Sequence, residues 1–87
     1  MTNRLLVAVL GDGDAGRVAK ALIAGGFGVT RVDTAGGFLR RGNATLLVGV
    51  EAERVDSAVA LMQAATSQGS GAGGPLFVLP VDCAVRL

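Results

Sequence analysis

The sequence predicts an α+β fold: one four-stranded antiparallel sheet with two helices on a single face. Three observations carry this reading. Four short apolar runs have strand length, and two longer runs repeat apolar residues at helical spacing. Their order along the chain is β-α-β-β-α-β. No helix-length segment lies between the second and third strands, so these two cannot be joined by a parallel crossover.

Each element has its own signal. Leu5 to Leu10 (LLVAVL) is a continuous apolar run ending at Gly11, which favours a buried strand. Asp14 to Ala24 follows as a helix, with Ala15, Val18, Ala19, Leu22 and Ile23 on one face. Asp12 or Asp14 can accept from the free amides at its start. Gly25 and Gly26 can stop it in the left-handed conformation. Phe27 to Asp33 contains Val29, Thr30 and Val32 and predicts the second strand.

Thr34 to Asn43 (TAGGFLRRGN) breaks the periodicity with three glycines and predicts a turn-rich loop. Thr45 to Val50 predicts the third strand. Val55 to Ala65 predicts the second helix, with Val55, Ala58, Val59 and Met62 facing inward and Glu51 and Glu53 near its start. Thr66 to Gly74 (TSQGSGAGG) has the composition of a flexible linker. Leu76 to Pro80 predicts the last strand, and Pro80 belongs at its end or on an edge because proline has no backbone donor. The order describes two split β-α-β units, the ferredoxin-like arrangement. Both helices then cover one face of the sheet, and the other face is apolar and open to a second subunit.

Composition narrows the function. The 87 residues are expected to form a single domain, 1–87. Hydrophobic residues make up 51% and aromatics 3%, so the core must be aliphatic. A domain this small buries about 60–65% of its unfolded surface, and an oligomeric interface would add to that. Eight basic residues against seven acidic give no footprint for nucleic acid or an anionic membrane. The sequence has no histidine, the commonest metal ligand and general base. No metal site, cofactor or catalytic residue is therefore expected. Cys83 is the single cysteine, so no internal disulfide can form, which suits a cytoplasmic location. No apolar run reaches the roughly 18 residues needed to span a bilayer.

Gly11-Asp12-Gly13-Asp14-Ala15-Gly16 matches G-x-G-x-x-G between a strand and a helix, with Asp33 near a ribose-binding position. A dinucleotide-phosphate site is one alternative. Against it, Asp12 and Asp14 put negative charge where a pyrophosphate would sit, and the chain is short for a dinucleotide fold. The plain structural alternative is a tight turn into a helix.

The loop is the more unusual segment. Phe38 and Leu39 are large apolar groups in a glycine-rich, basic stretch. They either pack on a neighbouring subunit or line a ligand pocket. Gly36 and Gly37 permit close approach to backbone amides. Phe38 offers a face on which a base could stack. Thr30 and Asn43 offer donors and acceptors that could read an adenine edge. Arg40 and Arg41 can hold phosphate or simply solvate the loop.

Three segments resemble the PII-like cyclic di-AMP receptors: Thr34 to Thr45 (especially GGFLR-GN), Gly49 to Asp56 (GVEAERVD) and Phe77 to Asp82 (FVLPVD). The resemblance implies a PII-like homotrimer with ligand sites between adjacent subunits. It places Gly37, Phe38, Leu39 and Asn43 on the loop side of that pocket, beside Gly36. It matches Thr30 to a binding threonine, and Gly49 and Phe77 to pocket positions. Two departures stand out. Gly26 and Gly28 occupy positions where the receptors carry an asparagine and a ligand-contacting arginine, and the linker TSQGSGAGG replaces a longer loop. The expected function is a non-enzymatic cytoplasmic receptor that binds a nucleotide, cyclic di-AMP first, and signals to a downstream protein through its loops. The alternative from a different class is a structural trimer that has lost ligand binding.

Overall fold

A computed structural model describes residues 2–33, 42–66 and 73–87. The elements are β1 (Arg4–Gly11), α1 (Asp12–Ala24), β2 (Thr30–Val32), β3 (Asn43–Val50), a 3₁₀ turn (Ala52–Arg54), α2 (Val55–Ala65) and β4 (Leu76–Pro80). The strand order is β2-β3-β1-β4, and every neighbouring pair is antiparallel. This is the expected ferredoxin-like fold. β1 lies between two antiparallel strands, unlike the parallel sheet of a dinucleotide fold. Pro80 ends an edge strand, where its missing donor costs no ladder bond.

Alternation along the strands sorts residues onto two faces. Leu6, Ala8 and Leu10 of β1 and Ala44, Leu46, Val48 and Val50 of β3 are buried on the helix side. They pack with Ala15, Val18 and Leu22 of α1 and Ala58 and Met62 of α2. Ile23, expected on the inner face of α1, is 62% exposed. It lies about 100° around the helix from the fully buried Leu22, at the edge of the stripe formed by Ala15, Val18 and Leu22.

The first helix differs from expectation at both ends. It begins at Asp12, two residues early, with Gly11 as its N-cap and no side-chain cap bond. Asp12 and Asp14 lie inside the first turn rather than at the N-cap, where their charge favours the helix dipole, and arginines pair with both carboxylates. Asp14 pairs with Arg17, one helical turn on. Asp12 accepts from Arg31 at 3.4 Å. At the other end Gly26 donates to Ile23 at 3.0 Å and Phe27 to Leu22 at 2.9 Å. With φ +90° at Gly26, this is a Schellman stop. It also explains why β2 starts at Thr30 rather than Phe27. The Phe27 amide is committed to closing α1, and its ring packs with Leu22 in the core.

β3 is longer than expected and begins at Asn43, whose register partner is Gly11. The α2 bounds agree with the sequence reading. Before β4, Gly74 at φ +132° leaves no room for a Cβ against the Val9 carbonyl oxygen. Pro75 then accepts from the Val9 amide at 3.1 Å. Asn3 joins three segments: its amide donates to Val50 at 3.1 Å, its Oδ1 accepts from Ala52 at 2.7 Å and its carbonyl accepts from Val81 at 3.1 Å. No described helix is long and apolar enough to cross a membrane.

Candidate functional site

The face of the sheet away from the helices carries the described candidates. Thr30 pairs with Leu47, Leu47 with Val7, and Val7 with Phe77, so these four form one row across all four strands. Cross-strand partners share a face, and this row alternates with the buried rows on either side. Gly49 lies in the next row, opposite Leu5 and then Leu79. Asn43 lies at the far end of β3, on the same face by the two-residue period.

The face divides chemically. On β1 and β4 it is aliphatic and aromatic: Leu5, Val7, Val9, Phe77 and Leu79. Phe77 is 53% exposed and Leu79 44%. On β2 and β3 it is more polar, with Thr30, Asn43, Thr45 and Gly49 around Val32 and Leu47. Thr30 and Gly49 are exposed, and Asn43 is half-buried.

The fold does not gather these residues into one small pocket within a single chain. Three strand spacings separate Thr30 from Phe77, about 14 Å. Six residues along β3 separate Asn43 from Gly49, roughly 20 Å. A single purine cannot touch both members of either pair. Gly36, Gly37, Phe38, Leu39, Arg40 and Arg41 lie outside the described residues.

Near Gly49 the structure forms a polar hollow of about 220 Å³ that Gly28, Phe27 and Arg54 also border. Thr2 covers part of Gly49: its Cγ2 is 3.0 Å from where a Cβ would stand. The Arg54 guanidinium stands 4.1 Å from the Phe27 ring centroid and donates to the Gly25 carbonyl at 3.2 Å. A cation over an aromatic face contributes about 0.5–1 kcal/mol at an exposed site. Glu51 lines the same hollow, so its charge is mixed rather than cationic. The sequence reading gave Arg54 no role in the site. Its place follows from the turn that brings Phe27 and Arg54 together, which their spacing of 27 residues does not reveal.

The two glycine departures now separate. Gly26 occupies a left-handed position that glycine or asparagine adopts most readily. Its exchange for asparagine is a change between residues suited to the same backbone. Gly28 has no atom within 4 Å of a built Cβ, so its missing side chain leaves open space.

At the opposite end of β2, Arg31 joins the first turn of α1 to the strand. Its Nε donates to Asp33 at 2.8 Å and its NH2 to Asp12 at 3.4 Å. All three side chains are more than a third exposed, so each pair contributes at most about 1 kcal/mol and weakens with salt. Among the described residues no group of three or more potential metal ligands occurs.

A family model described as "Cyclic-di-AMP receptor" matches residues 3–71. The chain belongs to that family. The matched span holds β1 through α2 and three of the four described candidates, Thr30, Asn43 and Gly49. Phe77 on β4 lies beyond it. This cyclic-di-AMP receptor family member is also similar in structure to a functionally unknown protein from Pediococcus pentosaceus. The TM-score is 0.78 at 29% identity, over 100% of this chain and 99% of that one.

Proposed function

We propose that the protein is a non-enzymatic signal receptor that binds a nucleotide, cyclic di-AMP first, between subunits of a homotrimer. Family membership supports the nucleotide ligand. The observation that carries the intersubunit reading is the row Thr30–Leu47–Val7–Phe77. Thr30 and Phe77 stand at opposite edges of one sheet, so one purine meets both only when a second copy brings its own β4 beside the first copy's β2. The aliphatic half of the open face supplies the contact that holds the copies together. Gly36, Gly37, Phe38 and Leu39 would close the loop side of the site, and Asn43 and Gly49 would line the β3 side. Ordering of the loop on binding would be the signal passed to a downstream protein.

Calorimetry with cyclic di-AMP, ATP and NAD tests this. Saturable binding of cyclic di-AMP is expected, weakened about tenfold or more in Asn43→Ala and Phe38→Ala, since each removes a hydrogen bond or a stacking face. No binding by any of the three would leave the interaction trimer. Binding of NAD that Gly13→Val abolishes would move the site to the turn before α1.

A further inference from the structure

One hydroxyl on the open face has no structural use among the described residues. Thr45 lies on β3 with Val9 and Val32 as its cross-strand neighbours. It is 5% exposed, and among the described residues its Oγ1 has no hydrogen-bond partner. A hydroxyl brings one donor and two acceptor sites, and buried polar groups in folded proteins are almost always partnered. Valine has nearly the same shape, favours strands and leaves no polar atom to satisfy. The isolated fold would be better served by valine here.

We propose that Thr45 is a further recognition residue of the nucleotide site, whose hydroxyl bonds the edge of a neutral base. The inference rests on the receptor reading given above. Position supports it. Thr45 is two residues from Asn43 along the same face of β3, about 7 Å. Thr30 is its diagonal neighbour on β2, about 7–8 Å away. Thr45 therefore fills the interval between two candidate contacts.

Its surroundings choose the ligand chemistry. Val9, Val32 and Leu47 flank it, and Arg31 of β2 points to the other face. Among the described residues, a phosphate placed there would find no cationic partner on this face. A purine edge offers neutral donors and acceptors that match a hydroxyl. A second copy fits less well, because Leu5, Val7, Val9, Phe77 and Leu79 on the docking half of the face carry no side-chain donor or acceptor. The Oγ1 atom is buried in the free chain, so contact with a base requires a rearrangement that uncovers it.

The test compares the full chain with Thr45→Val and Thr45→Ser by calorimetry with cyclic di-AMP, thermal melting and light scattering. Thr45→Val is expected to melt roughly 4 °C or more above wild type. It should keep the wild-type mass and bind about tenfold more weakly. Thr45→Ser, which keeps the hydroxyl, should bind within about threefold of wild type. In wild type the Thr45 methyl resonance should shift when ligand is added, a readout that needs no variant. Unchanged affinity in Thr45→Val, or an unmoved methyl under saturation, overturns the inference. So does a lower melting point in Thr45→Val, which would mean the hydroxyl is already satisfied in the free fold. A loss of oligomer mass confined to Thr45→Val would assign the hydroxyl to a second copy and equally overturn it. Absence of cyclic di-AMP binding by wild type is a different result: the receptor reading itself then fails.

Discussion

Along β1 the two faces of the sheet have nearly the same hydrophobicity but opposite situations. On the helix side Leu6, Leu46 and Val48 are fully buried. On the other side Phe77 and Leu79 remain about half exposed, in line with Val7 and Leu5. The helix side stabilises one chain. The open side gains its free energy only against something else, and apolar area removed from water contributes roughly 25 cal/mol per Å² wherever the cover comes from. An outward aliphatic face is therefore a statement about assembly rather than folding.

The largest effect that sharpens the contrast is expected at Leu46. Leu46→Ala should cost about 2–5 kcal/mol of stability, read by urea unfolding, because it leaves a cavity in the core beneath α1. Next comes Leu79→Asp on the other face. The circular dichroism spectrum should stay that of wild type, while light scattering should move from the proposed trimer's mass of about 26 kDa, three times 8.7 kDa, toward the single-chain mass. A wild-type mass near 8.7 kDa would break the comparison, since the open face would then have no partner copy.

Smaller effects separate the two glycines. Gly26→Ala should lose about 1–2 kcal/mol, because alanine is strained at φ +90°. Gly28→Ala meets open space and should be neutral or more stable by about 0.4–1 kcal/mol through a less flexible unfolded chain. Equal losses at both sites would contradict the assigned roles.

Most of the fold was legible because its signals are local. The run LLVAVL, the helical spacing of Val55, Ala58 and Met62, and the proline after LFVL each fix an element without reference to the rest. The errors arose where one residue has two possible uses and the fold picks the less obvious one. Phe27 has good strand propensity, yet its amide closes a helix and its ring joins the core. Asp12 and Asp14 have capping chemistry, yet they lie inside the first turn and pair with Arg31 and Arg17. Of the proposed site, Thr30, Asn43 and the loop were read from residue chemistry, while Gly49 and Phe77 came only from resemblance. Thr30, Asn43, Gly49 and Phe77 are spread along the chain, and only strand register puts them on one face. Thr45 was missed for a sharper reason. A threonine in a strand reads as β propensity, and nothing in a sequence says that its hydroxyl lacks a partner.

The open face has one more consequence, for how the chain finds its pairing. Because side chains alternate, sliding a strand by one residue exchanges its two faces. In most half-exposed sheets that error would bury polar groups and be rejected. In β1 it would merely trade Leu6, Ala8 and Leu10 for Leu5, Val7 and Val9. Hydrophobicity alone barely distinguishes the two alignments, so correct alignment falls to particular backbone contacts. The close seat of the Val9 carbonyl against Gly74 is one of them, and a side chain at that glycine would bar the native alignment itself.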